Sequence, residues 1–142
     1  MRESRFTLDL GSVRAARLFA CAAVGDAPAD VLEVVAAIVG ELAANAVRHA
    51  ATGFVVRVES DERRIRVEVA DVGAGLPVAK SPGPADPSGR GLQLVSALAD
   101  DWGVGDATGE PGKAVWATLW LDGPGARRVR SVEPAGRTVG GT

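Results

Sequence analysis

The chain has 142 residues, of which 46% are hydrophobic, and this is enough to build the core of a single globular domain. Its 18 acidic and 16 basic residues give a formal net charge of −2, which argues against a strongly basic nucleic-acid-binding protein. One cysteine and one histidine exclude an internal disulfide and cysteine- or histidine-rich metal sites. No run approaches the roughly 20 apolar residues of a membrane span, and the N-terminus does not resemble a signal peptide. We therefore expect a cytoplasmic protein without a membrane or nucleic-acid partner.

The composition changes near the C-terminus of the chain. Beyond Leu121 the sequence is rich in Gly and Pro, carries an excess of arginine and shows no apolar periodicity. Such a composition is typical of a segment without a packed core. We expect a folded domain over residues 5–122 and a flexible C-terminal tail over residues 123–142. We interpret the positive charge of this tail as that of a solvated chain end.

The first part of the sequence predicts one strand followed by two helices. Alternation of Phe6, Leu8 and Leu10 with polar residues predicts a short strand. Ser12 is the expected N-cap of an Ala-rich helix that runs to about residue 24. A second helix is predicted from about residue 29 to residue 50, because apolar residues recur there with helical spacing. That apolar stripe consists of Val31, Val34, Val35, Ile38 and Leu42.

The rest of the sequence predicts a hairpin, a third helix and a last strand. Two segments with period-two alternation are joined by a turn over residues 60–63, and their apolar rows are Phe54, Val56 and Val58, and Ile65, Val67 and Val69. The third helix is predicted over about residues 90–101 and the last strand over residues 113–121. The order β-α-α-β-β-α-β favours an α+β fold. We expect a two-layer α/β sandwich, in which helices cover one face of a mixed, mostly antiparallel sheet.

Polar residues interrupt the apolar stripe of the second helix. Glu41, Asn45 and His49 are spaced i, i+4 and i+8, so they form a row along one side of the helix. The helical period places Asn45 and His49 within the apolar stripe and Glu41 at its edge. Burying such groups without partners costs several kcal/mol, so we expect a polar ligand to meet the row. A small rotation of the helix, or backbone groups of the sheet, would satisfy the row equally well.

Two glycine-containing segments have the features of ligand-binding loops. Asp71-Val72-Gly73-Ala74-Gly75 follows a strand, where a carboxylate can accept from an exocyclic amine and two glycines let the backbone bend around a flat ligand. Gly89-Arg90-Gly91-Leu92 begins the third helix, where free N–H groups and the helix dipole favour an anion. Taken singly, the first is also typical of an ordinary turn and the second of a glycine-rich helix start.

Together, and in this order, the three segments resemble the N, G1 and G2 boxes of the GHKL ATPase superfamily. This superfamily includes gyrase subunits, heat-shock chaperone ATPases, histidine-kinase catalytic domains and anti-sigma factor kinases. The order and spacing are most similar to the stand-alone anti-sigma regulatory factors of the serine-protein kinase type. The resemblance covers about residues 6–121, and it implies a Bergerat-type ATP-binding fold with ATP and Mg²⁺ as cofactors.

The resemblance also implies roles for individual residues. Asn45 would ligate the Mg²⁺ bound to the nucleotide phosphates, and Glu41 would be the catalytic base that activates a serine hydroxyl or a water. Asp71 would bind the adenine amino group, which favours ATP over GTP. The other implied nucleotide-binding residues are His49 in the N box, Gly73 and Gly75 around the base, Lys80 in a lid over residues 76–88, and Gly89, Arg90, Gly91 and Leu92 at the phosphates.

One position departs from the family pattern. Ala114 stands where we align the threonine that the family uses near the adenine, and Thr118 lies on the same strand face but farther along. The loss of one hydrogen bond would cost about 1 kcal/mol of nucleotide binding. We therefore expect weakened rather than abolished binding.

The resemblance implies a serine/threonine-protein kinase that regulates transcription. It would transfer the ATP γ-phosphate to a serine of an antagonist protein and so control a sigma factor. One alternative is a nucleotide-dependent partner-binding module without kinase activity, and another is the catalytic domain of a histidine kinase acting in trans.

The expected partners are a sigma factor, an antagonist protein, or both. Arg17 on the first helix lies about where these regulators place a partner-contacting arginine, although an ordinary surface charge would look the same in the sequence. Because homodimers are common in the resembled family, Trp116 and Trp120 are candidate interface residues. They are equally compatible with the core.

Overall fold

The computed structural model describes residues 1–49, 53–72, 88–106 and 113–121, and in this part of the chain it contains three helices and five strands. In chain order these are β1 (Arg2–Phe6), α1 (Leu10–Val24), α2 (Ala29–His49), β2 (Gly53–Ser60), β3 (Arg64–Val72), α3 (Ser88–Leu98), β4 (Asp101–Asp106) and β5 (Lys113–Trp120). The tail predicted over residues 123–142 and most of the predicted lid lie outside the described residues.

The five strands form one sheet in the order β1-β2-β3-β5-β4. All pairings between these strands are antiparallel. Helix α2 lies between α1 and α3, since it contacts both of them. The prediction of an α+β two-layer sandwich is confirmed. In the described part of the chain, no helix is both long and apolar enough to cross a membrane.

The main core lies between α2 and one face of the sheet, which we call the helix side. The predicted rows of β2 and β3 are buried there, together with Ala117 and Leu119 of β5. Within the predicted stripe of α2, Val34 is half-buried and the other four residues are buried: Val31, Val35, Ile38 and Leu42. The apolar periods of the sequence therefore assigned the correct faces to α2, β2 and β3.

The N-terminal strand lies earlier in the chain than predicted. Strand β1 ends at Phe6, which pairs with Phe54, and Leu10 is already the first residue of α1. The N-cap is Asp9 rather than Ser12, whose backbone N–H donates to Asp9 Oδ1 at 3.1 Å. The hydroxyl of Thr7 also donates to Asp9, and this hydrogen bond lowers the pKa of the carboxyl group. Both residue types are good N-caps, and local hydrogen bonding selected the earlier one.

Strand β4 was not predicted from the sequence. We expected the third helix to continue to Asp101, but α3 ends at Leu98 and a strand begins at Asp101. Glycines stand at Gly103 and Gly105, so the alternating signal of this strand is reduced to two apolar residues. Strand β4 exists because it pairs with β5, and a long-range pairing of this kind leaves little local signal.

The sheet face turned away from the helices, which we call the outer face, carries a buried charge network. Arg57 donates from Nε to Glu3 at 2.9 Å and from Nη1 to Glu68 at 3.3 Å. Arg66 donates to the second oxygen of Glu68, also at 3.3 Å. The guanidinium of Arg66 lies 5.1 Å from the ring centroid of Trp116, within the range of a cation–π contact. Glu68 is only 2% exposed, and these two arginines stabilise its buried charge.

Trp116 and Trp120 lie on the outer face, because they pair in register with Glu68 and Arg64 of β3. Trp116 is half-buried and Trp120 is 51% exposed. Neither tryptophan belongs to the helix-side core cluster. The alternative that they are main-core residues is therefore wrong, and their role in a homodimer stays a prediction.

Replacing Glu68 by alanine should lower the free energy of unfolding by about 3–5 kcal/mol, because it leaves two arginines without their shared buried carboxylate. Glu59→Ala is the matched control: Glu59 pairs with Arg64 at 3.8 Å, but it is 46% exposed. Its loss should cost less than about 1 kcal/mol. Urea unfolding followed by tryptophan fluorescence measures both. Equal losses in the two variants would contradict the importance of the buried network.

Candidate functional site

The predicted polar row lies on one continuous helix. Glu41, Asn45 and His49 all belong to α2, and each of them is half-buried. The Oδ1 atom of Asn45 is buried and has no hydrogen-bond partner among the residues that the structure describes. Within the described residues, neither solvent exposure nor the sheet backbone therefore satisfies the Oδ1 atom of Asn45. An unsatisfied buried oxygen costs about 1–3 kcal/mol, and a catalytic role or a bound ion is one reason for a native protein to retain such an atom.

The chemistry of this oxygen suits a hard cation. A side-chain amide oxygen is a common ligand of Mg²⁺, which binds few protein groups and completes its shell with phosphate oxygens and water. Asn45 therefore fits the role of a protein ligand to a phosphate-bound Mg²⁺. Among the described residues, no group of three or more His, Cys, Asp and Glu side chains is arranged to hold a metal ion.

Asp71 lies near the end of β3, on the helix side of the sheet. It is half-buried and pairs in register with Phe54, a fully buried core residue. Its carboxylate is thus on the same side of the sheet as α2. A flat ligand on this side could contact both the carboxylate and the helix. Gly73, Gly75 and Lys80, which we predicted to follow it in the site, lie outside the described residues.

The predicted anion site lies in the first turn of α3. The helix begins at Ser88, so Gly89, Arg90 and Gly91 belong to its first turn, as expected. Leu92 is half-buried and packs against the core, and α3 contacts α2. The first turn of a helix leaves backbone N–H groups free and carries a partial positive charge. The layer that contains Asn45 therefore also contains a helix start suited to phosphate.

Arg17 lies across α2 at the residue before Glu41. Its Cδ and Nη1 atoms are 3.1 and 3.2 Å from the point where a Cβ on Gly40 would be. A side chain at position 40 would displace Arg17, so the absence of a side chain at Gly40 allows Arg17 to pack against α2. In the described part of the chain, Arg17 makes no ion pair or hydrogen bond. The sequence carried one signal of this contact, a glycine inside an Ala-rich helix.

The position assigned to the adenine-proximal threonine was wrong. Ala114 pairs with Ala70, and these two residues form a small buried cluster separate from the main core. Since side chains alternate along a strand, Asp71 points to the opposite face from Ala70 and Ala114. Thr118 shares the face of Ala114, as expected, and is also turned away from Asp71. The predicted cost of Ala114 to nucleotide binding therefore no longer follows.

A sandwich with such groups on its helix side has the features of a nucleotide-binding domain. The sequence model of the histidine kinase-like ATPase domain matches residues 6–119, and the chain belongs to this family. The domain is therefore an ATP-binding one. A comparison with curated proteins gives no match.

Proposed function

We propose that this protein is a cytoplasmic Mg²⁺-ATP-dependent serine kinase that regulates a sigma factor by phosphorylating an antagonist protein. The observation that carries the proposal is the buried, unsatisfied Oδ1 of Asn45, one helical turn from Glu41. This pairing provides a magnesium ligand and a base on one side of one helix. The similarity to stand-alone anti-sigma regulatory factors supports the choice of serine and of the partners.

Each part of the site has a separate role in the proposed phosphoryl transfer. Asn45 would hold Mg²⁺, which when bound neutralises phosphate charge, and the first turn of α3 would hold phosphate oxygens. The serine Oγ forms a bond to the γ-phosphorus as the bond to the β–γ bridging oxygen breaks, and ADP leaves with that electron pair. The hydroxyl proton passes to the carboxylate of Glu41. Catalysis in such a site consists mainly of positioning and charge stabilisation.

Arg17 is the proposed contact for the partner protein. It is half-buried and held against Gly40, so its guanidinium loses little further freedom on binding a carboxylate. Glu41 is the next residue along α2. A partner whose acidic side chain binds Arg17 would therefore bring its neighbouring residues close to the proposed base.

Calorimetric titration of ATP, with and without Mg²⁺, tests the nucleotide site. We expect Mg²⁺-dependent binding that Asp71→Asn weakens about 10- to 100-fold, because an amide forms a weaker hydrogen bond with the amino group than a carboxylate does. Asp26→Asn is the matched control: Asp26 is exposed in the turn between α1 and α2, and its loss should leave the affinity unchanged. Absence of ATP binding to the wild-type protein at millimolar nucleotide would contradict the proposed function.

A further inference from the structure

The outer face of the sheet is more deeply buried than the described elements explain. All three described helices contribute residues to the helix-side core cluster, and all five described strands belong to the sheet itself. Within the described residues, no element therefore lies over the outer face. Besides Glu68, five residues of this face are nevertheless at most 6% exposed: Val55, Arg57, Ala70, Ala114 and Thr118.

Val55 shows this burial most clearly, because it is 0% exposed and yet belongs to neither apolar cluster of the described residues. Its cross-strand neighbours are Arg5, which is exposed, and Ala70, whose side chain is a single methyl group. Along β2 its neighbours on this face are Gly53 and Arg57, and the guanidinium of Arg57 is held by two carboxylates in its own row. Complete burial of this valine therefore requires a further layer above the sheet.

The connections between described elements are poorly placed to form this layer. Residues 50–52 only join the end of α2 to the start of β2, and residues 107–112 join the paired ends of β4 and β5. Residues 73–87 have to reach the start of α3, which packs on the helix side. None of these connections leads across the middle of the outer face.

The C-terminal tail over residues 123–142 starts in the right place. It follows directly after β5, whose last residue, Trp120, lies on the outer face. A fully extended tail would span roughly 65 Å. Since neighbouring strands are about 4.8 Å apart, β1 lies only about 14 Å from β5 across the sheet. The tail is therefore long enough to cross the face.

The composition of the tail also suits this face. Valines alternate with arginines and a serine within Arg127-Arg128-Val129-Arg130-Ser131-Val132. Valine side chains can cover Val55 and the neighbouring alanines. Arginine side chains can reach Glu3 and Glu59, two carboxylates of the outer face that are 47% and 46% exposed. An extended segment of this kind therefore complements both the apolar and the acidic parts of the surface.

We propose that the C-terminal tail folds back over the outer face of its own sheet and covers Val55. A tail bound in this way is not the solvated chain end that its composition predicts. Because Trp116 and Trp120 lie on the same face, the tail competes there with a second copy of the chain. A homodimer through these tryptophans then forms only when the tail has left the face. None of these contacts depends on nucleotide binding.

Thiol labelling of Val55→Cys tests the cover in the full-length chain, with Cys21→Ser removing the natural thiol. We expect a maleimide to label Val55→Cys about 10-fold or more slowly than Leu18→Cys, since Leu18 is 61% exposed on α1. Replacing residues 123–142 by a glycine–serine sequence of equal length should remove most of this difference. Val56→Cys is the control for an intact fold, because Val56 is buried on the helix side and should stay protected with either tail.

Two results would overturn the role of the tail. One is equally fast labelling of Val55→Cys and Leu18→Cys in the chain with its own tail, and the other is equal protection of Val55→Cys with either tail. A labelling rate that falls as the protein concentration rises would assign the cover to a second copy, which also contradicts the tail. If Val55→Cys does not fold, Ala114→Cys probes the same face with the same expected results.

Discussion

Replacement of Asn45 by leucine is expected to abolish Mg²⁺-dependent ATP binding and at the same time to stabilise the ligand-free protein. The buried Oδ1 of Asn45 has no hydrogen-bond partner in the described part of the chain, so an apolar side chain of similar size removes an unsatisfied polar atom. We expect a gain of about 1 kcal/mol in the free energy of unfolding. We also expect the Kd for Mg²⁺-ATP to rise about 100-fold or more, because the metal loses its protein ligand. Calorimetry and urea unfolding measure the two effects.

The opposite signs of these effects make the Asn45 prediction specific. Replacing a residue that only supports the fold lowers the free energy of unfolding. Replacing a residue that binds a ligand at a cost in stability raises the free energy of unfolding. Gln93→Leu is the matched control, since Gln93 is an exposed amide on α3 and should change neither quantity. Retained Mg²⁺-dependent binding in Asn45→Leu would refute the assigned role of Asn45.

Replacement of Glu41 by glutamine is expected to separate binding from transfer. The amide keeps the shape of the side chain but cannot accept the hydroxyl proton. We expect the rate of ADP formation at saturating Mg²⁺-ATP to fall by about two to four orders of magnitude, with little change in the Kd for ATP. Glu33→Gln is the control, because Glu33 is exposed on α2 two turns earlier and makes no contact with another described charge.

Measurements of ADP formation and of partner phosphorylation decide among the kinase, the binding module and the histidine-kinase domain. A wild-type protein that binds ATP but never forms ADP or a phosphorylated partner would be a nucleotide-dependent binding module, and the kinase proposal would fail. Acid-stable phosphate on a serine of the partner would support serine transfer, whereas acid-labile phosphohistidine would indicate a histidine-kinase domain acting in trans. Equal rates for Glu41→Gln and the wild type would assign the base to another residue.

Periodic patterns explain which parts of the fold were predictable. The 3.6-residue period of α2 and the two-residue period of β2 and β3 depend only on local spacing, and the buried rows followed from them. The turn between these two strands was also local: Asp61 Oδ1 accepts from the backbone N–H groups of Arg63 and Arg64 at 2.7 and 3.0 Å. These two hydrogen bonds lower the pKa of the Asp61 carboxyl group.

The sequence by itself determined α2 and the residues that it presents. The spacing of Glu41, Asn45 and His49 placed them in one row, and the family match over residues 6–119 agrees with the resemblance based on that row and the two glycine-containing segments. A helix fixes the relative direction of its own side chains, so no knowledge of the rest of the fold was needed.

Only the tertiary structure decided which residues from different elements meet. The register between β3 and β5 turned Ala114 away from Asp71, and pairing with β5 created β4. A shift of one residue in register reverses every side chain of a strand, and local sequence does not fix that shift. The contact between the Arg17 side chain and Gly40 likewise depends on how α1 packs against α2. Contacts of this kind join residues far apart in the chain, and they follow from the packing of the whole domain.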